Sequence, residues 1–245
     1  MHPRTFATAL RQIGLASMLV CTLASAVAQE ALIRKNLGNR LSALSKIDEI
    51  SKTPMKGLYE VRVNGTDIFY TDAKGNFLIQ GALLDTQAKR NLTEERIEKL
   101  SAIDFSALPI KDAITQVRGN GKRQLAVFED PNCGYCKTFE RDLQQITDVT
   151  VYTFLIAILS PDSGEKSKNI WCAEDKNKAW LDWMVRDQPA AKVSCDISAL
   201  QRNFNFSRKY KISATPTMFF VDGARVAGAV GVQEIEKRLL TAKAP

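Results

Sequence analysis

Five cysteines are present, and the four beyond residue 28 fall into a close pair and a wide pair. Cys133-Gly134-Tyr135-Cys136 lies where a short apolar strand, Leu125–Phe128, gives way to a helix with Phe139, Leu143 and Ile146 on one face. At a helix N-terminus the unpaired amides and the macrodipole stabilise a thiolate. Thiolate is the nucleophile of disulfide exchange, so Cys133 is expected to attack. Cys136, one turn further in on the same side, is placed to resolve a mixed disulfide. Gly134 leaves room for a substrate chain, and Tyr135 either offers it an aromatic surface or shields the pair. Two other uses of the motif remain. It could be half of a zinc site, if Cys172 and Cys195 folded back to complete the four ligands. It could also be a structural disulfide, although so small a loop stabilises little.

Cys172 and Cys195 are 23 positions apart in a helical stretch, with no reactive pattern around them. A structural bridge is expected there, restricting the unfolded chain by about 3 kcal/mol on the entropic account. The remaining informative segment is Ala214-Thr215-Pro216-Thr217, directly before a strand. Proline belongs at the entry of a strand, and an ordinary trans bond is the simplest expectation from sequence. A cis bond would instead expose the Thr215 backbone for pairing with an extended peptide.

The start of the chain bears on the compartment. Residues 1–28 read as a secretory signal peptide, with Arg4 and Arg11, an apolar run from Ile13 to Ala24, and Ala26-Val27-Ala28 as the cleavage pattern. The run is too short for a stable bilayer anchor. Cys21 raises lipid attachment, but Val20 before it is not small. Loss of this segment lowers the net charge from +7 to +5 and removes His2, the one histidine. Without an imidazole, no Cys-His protease, Ser-His hydrolase or histidine-ligated metal site can be built. The charges are interspersed, so no nucleic-acid partner is expected. An even number of cysteines in an exported chain suits an oxidising compartment.

The elements that must hold these residues divide into two parts. Residues 30–44 look helical, and Leu58–Val63 and Asp67–Thr71 flank Asn64-Gly65 as a hairpin, with Phe77–Leu84 a third strand. So small an α+β unit leaves sheet edges open, which either dimerisation or packing on the second domain would relieve. Asn91–Ala107 is a charged helix with a thin apolar face, suited to a connector. The second part begins with β-α-β, in which Val149–Ile156 is the second strand. Helices over Ser167–Val185 and Leu200–Tyr210 follow. A hairpin of Thr217–Val221 and Arg225–Val230 and a final helix, Gln233–Ala242, end the chain.

A strand, Cys-Gly-Tyr-Cys opening a helix, and a later Thr-Pro before a β-hairpin resemble the thioredoxin superfamily. More narrowly, the chain resembles the DsbC/DsbG group of periplasmic protein-disulfide isomerases, through Val127–Cys136, Ile170–Ala179, Ser194-Cys195-Asp196, Tyr70–Asp72 and Ile79–Gly81. The resemblance implies an α/β thioredoxin-like catalytic domain with a helical insertion over 111–245. A small α+β, cystatin-like dimerisation domain over 29–90 and a linker helix over 91–110 would precede it. It further implies a V-shaped homodimer, an exposed nucleophile Cys133, a buried partner Cys136, a Cys172–Cys195 bridge and a cis Pro216 in a substrate-binding loop. Misoxidised exported proteins would be the substrates, a membrane donor of the DsbD type would keep the pair reduced, and no cofactor or metal would be needed. The alternatives are a net oxidase, a holdase chaperone and a reductase of oxidised single cysteines. Many thioredoxins carry a buried acid six residues before the first cysteine, where this chain has Val127; Glu129 and Asp130 are nearer and are not expected to take that place. Lys137 follows the motif where a histidine is common, and could favour the thiolate without shuttling protons.

Overall fold

The structure, a computed structural model, describes residues 27–44 and 46–243, so most of the expected signal peptide, with Cys21, lies outside it. The chain divides into two compact units between Leu100 and Ser101. Among the described residues no helix is long and apolar enough to cross a membrane.

The first unit starts with helix α1, residues 27–40, whose Ile33 and Leu37 pack on a four-stranded antiparallel sheet. Its strands are β1 (Ile47–Lys52), β2 (Leu58–Val63), β3 (Asp67–Asp72) and β4 (Leu78–Ile79), neighbours in chain order. The β2–β3 hairpin turns at Asn64 and Gly65, with φ of 52° and 85°, the left-handed geometry that this residue pair accepts readily. Strand β1 has no counterpart in the sequence-based expectation. Its register shifts between Ile47 and Glu49, so Ile47 and Ile50, three apart, are both buried, and a bulge conceals the strand period. The expected third strand is also shorter than its apolar run. Only Leu78 and Ile79 pair with β3, while β5 (Leu84–Asp85) pairs with β6 (Arg90–Asn91) in a separate ribbon. The expected helix over Asn91–Ala107 is likewise cut short: α2 spans Leu92–Ser101 and is followed by 3-10 turns Phe105–Ala107 and Ile110–Asp112. Asp104 accepts the Ser106 N–H and starts the first of these turns. Helix α2 is tied to the first sheet, since Arg96 bonds Glu60 and Glu49 at 2.9 Å each.

The second unit is built on a sheet of order β11-β10-β8-β9-β7. These are β7 (Ile114–Arg118), β8 (Arg123–Glu129), β9 (Val149–Leu155), β10 (Thr217–Phe220) and β11 (Arg225–Ala227), with β8 and β9 parallel and the other pairs antiparallel. Helix α3 (Gly134–Leu143) crosses from β8 to β9. Helices α4 (Pro161–Trp171), α5 (Lys176–Arg186) and α6 (Ser198–Lys209) fill the segment before β10, and α7 (Val232–Thr241) closes the chain. The single helix expected over Ser167–Val185 is two, because Asp175 caps a new helix, α5, by accepting the Lys178 N–H; α4 itself starts earlier, at Pro161. The odd residues of β8, Leu125 and Val127, pack with Phe139 and Leu143 of α3 and Leu239 of α7. Its even residues, Ala126 and Phe128, face the opposite layer, where Phe206 of α6 stacks on Phe128 at 5.6 Å. Gly223 in the last hairpin has φ +82°, and a Cβ there would come within 2.6 Å of the Ile103 carbonyl.

Candidate active site: the Cys133–Cys136 pair

The turn between β8 and α3 is fastened by Asp130. Its buried carboxylate accepts the N–H groups of Ile158 (2.8 Å) and Leu159 (3.0 Å), the Ser163 hydroxyl (2.7 Å) and the Asn132 N–H (2.7 Å). Trp183 Nε1 donates to the Pro131 carbonyl at 2.6 Å. Held this way, Cys133 becomes the N-cap of α3, and its sulfur accepts the Cys136 N–H at 3.1 Å. That bond sets an N–H donor on the sulfur at the positive end of the helix dipole.

On its other side the Cys133 thiol donates to the Thr215 carbonyl at 3.2 Å. The Thr215–Pro216 bond is cis, which differs from the trans bond that sequence alone suggests and agrees with the resemblance. With this loop against it, Cys133 is 4 % exposed rather than open, and Cys136 is fully buried. Tyr135 is 75 % exposed, and an added Cβ at Gly134 would meet nothing, so the motif's middle residues form its accessible face. Burial above all pushes the Cys136 thiol well above its ordinary value, and the neighbouring Glu129 carboxyl works in the same direction whenever it is ionised.

Glu129 corrects the expectation made for it. The inward face of β8 runs Leu125, Val127, Glu129, so the residue six before Cys133 packs in the core while Glu129, two further along the same face, reaches the dithiol. It is fully buried, and burial together with the charge of Glu140 holds its carboxyl well above the usual range. Glu140, on α3 one turn beyond Cys136, is 1 % exposed and accepts the Trp180 Nε1–H at 2.8 Å. Sequence reading missed both acids, although a charged residue continuing an apolar period-two pattern was a visible signal. Lys137 is engaged elsewhere: it pairs with Asp187 and lies over the Trp183 ring at 4.2 Å.

The wide pair is joined, with Cys172 and Cys195 bonded to each other at 2.08 Å, while Cys133 and Cys136 are free thiols. The four sulfurs therefore do not form one tetrahedral set.

Comparison with known proteins agrees with this geometry. Residues 24–94 match the model of the disulfide bond isomerase protein N-terminal domain, and residues 110–243 match that of a thioredoxin-like domain. A Bordetella parapertussis protein named "Probable thiol:disulfide interchange protein DsbC" is 46% identical over 193 residues, covering 79% of this chain and 68% of its own. The chain belongs to the DsbC family. The thiol:disulfide interchange protein DsbC of Escherichia coli K12 is a more distant relative, 28% identical over 201 residues that cover 79% of this chain and 81% of that one. A crystal structure of a disulfide interchange protein from Neisseria gonorrhoeae, 34% identical, superposes with a TM-score of 0.54 over 56% of this chain and all of that one. As a DsbC-family member, the protein is a thiol–disulfide interchange enzyme on a thioredoxin-like domain.

Proposed function

We propose that Cys133 is the attacking thiolate and Cys136 the resolving thiol of a periplasmic enzyme that isomerises or reduces incorrect disulfides in exported proteins. The observation that carries this assignment is the asymmetry of the pair. The Cys133 sulfur receives an amide at 3.1 Å at the helix N-terminus, whereas the Cys136 thiol is buried beside an acid. Cys133 attacks a substrate disulfide, forms a mixed disulfide and releases one substrate thiolate. A second substrate thiol then displaces Cys133, which completes isomerisation. Alternatively Cys136 displaces the substrate, leaving it reduced and the enzyme pair oxidised, to be reduced again by a membrane donor of the DsbD type.

The Thr215–Pro216 loop supplies the peptide rest: its backbone lies against the reacting sulfur, so an extended substrate paired there brings its own disulfide to Cys133. Strand β4 supports a homodimer. It is an edge strand whose residues Leu78 (37 %) and Ile79 (51 %) are exposed, as is Phe77 (71 %) just before it, a surface that a second copy would cover. The Cys172–Cys195 bridge and the leader-like residues 1–28 support export to an oxidising compartment.

The test is recovery of activity by a scrambled, multiply disulfide-bonded protein in glutathione buffer. Wild type restores it and Cys133→Ser does not. Ile79→Lys sediments as a monomer and loses isomerisation while still reducing a small disulfide. Recovery with Cys133→Ser equal to wild type would refute the nucleophile, and a dimeric Ile79→Lys would refute the interface.

A further inference from the structure

Both carboxyl oxygens of Glu129 are buried and, among the described residues, have no hydrogen-bond partner of ordinary geometry. A polar group left this way costs stability, so its retention calls for a use. Its interacting neighbours are the Glu140 carboxyl and the two sulfurs of the motif. The titratable groups facing this acid pair are Cys133 and Cys136 from the start of α3 and Arg118 from the end of β7. Arg118 acts on Glu140 through its charge while donating to the Leu143 carbonyl and to Gln116. From α5 the Trp180 indole donates to Glu140 of the pair.

Two carboxyls in so dry a place cannot both be ionised. The Trp180 N–H and the Arg118 charge favour the anion on Glu140. Among the described residues Glu129 is set against no comparable N–H or cation, only the Cys136 thiol and the Glu140 carboxyl, and keeps the proton. The uncharged acid therefore stands next to Cys136, with its anionic partner behind it.

We propose that Glu129 and Glu140 form a relay that takes the proton of Cys136 when this thiol resolves the mixed disulfide. Cys136 passes its proton to Glu129, whose own proton moves to Glu140. The Cys136 thiolate then bonds to the Cys133 sulfur as the bond from Cys133 to substrate breaks. The substrate sulfur leaves with the electron pair and is protonated by water, and the acid pair returns its extra proton to solvent. The relay rests on Cys136 being the resolving thiol. It governs how quickly the enzyme escapes from a bound substrate by reduction instead of waiting for isomerisation.

The test mixes the reduced full-length enzyme with dithiobis(nitrobenzoate). One thionitrobenzoate is released when Cys133 is loaded and a second when Cys136 resolves, and the second phase is timed against pH. In wild type the second phase is level through neutral pH. In Glu129→Gln it falls by about 10²-fold there, a general-base contribution of ordinary size, and rises in proportion to hydroxide. Glu140→Gln loses less and moves the midpoint of the profile to lower pH, because the anion that keeps Glu129 protonated is gone. Glu129→Gln with the wild-type rate and profile overturns the relay. If that variant does not fold, a Glu140→Gln profile identical to wild type overturns it instead. Cys136→Ser gives no second phase; if it did, the resolving role would fall and the relay with it.

Discussion

The two cysteine pairs of the second unit contrast in what surrounds them. Cys133 and Cys136 sit three apart at a helix N-terminus, reduced, with an amide, a backbone carbonyl and the buried Glu129 about their sulfurs. Cys172 and Cys195 are bonded to each other and join the end of α4 to an irregular segment before α6. On the proposed reading the same side chain is thus a reagent in one place and a tether in the other. What separates them is the provision for a thiolate: a dipole and an N–H to hold negative charge, and a group to take the proton.

The largest effect that sharpens this contrast is loss of chemistry. Cys133→Ser is expected to abolish exchange with scrambled substrate. Cys172→Ala with Cys195→Ala is expected to leave the exchange rate per folded molecule near that of wild type. Stopped-flow reduction of a model disulfide, normalised to folded protein, checks both. Loss of exchange in the folded Cys172→Ala/Cys195→Ala variant would break the comparison.

Next in size is stability. The bridge closes a separation of 23 residues, and removing it should cost about 3 kcal/mol in denaturant unfolding of the second unit. An unchanged midpoint would mean that packing of Trp171 and Trp180 already fixes this segment.

A pH effect of similar scale follows from Glu129. Its carboxyl is raised above the ordinary value of 4.5, so the native state keeps a proton that the unfolded chain gives up. Native stability should fall as pH rises above that value, by about 1.4 kcal/mol per pH unit, until Glu129 itself ionises. Glu129→Gln removes this slope, so the variant should be more stable than wild type near neutral pH and converge with it in acid. Parallel melting curves for the two across the range would contradict the assignment.

The smallest effect concerns Lys137. Its partner Asp187 is 63 % exposed, and exposed pairs contribute little because solvent screens them. Asp187→Asn should therefore leave both stability and the exchange rate close to wild type. A marked fall in rate would show that the lysine serves the thiolate after all.

The dithiol, its helix, the parallel β8–β9 pair and the closing hairpin were legible because each has a strong local signal: a cysteine spacing, a continuous apolar run, a Gly turn. The sequence left other parts hidden for identifiable reasons. A bulge at Ile47–Glu49 disguised β1 as a three-residue spacing, and β7 has one buried apolar residue, Ile114, with Val117 exposed at the sheet edge. The break between α4 and α5 lay at the capping residue Asp175, which periodicity does not detect. Glu129 does not stand where many thioredoxins carry their buried acid, six positions before the first cysteine. The strand places it at four, and Glu140 reaches the same spot only through the packing of α3 on β8.

The most direct test of the central claim is to trap the intermediate. Cys136→Ser enzyme incubated with a misoxidised exported protein should accumulate a covalent complex, and peptide mapping should place its one intermolecular bond at Cys133. A complex joined through Cys172 or Cys195, or none at all while exchange continues, would contradict the account.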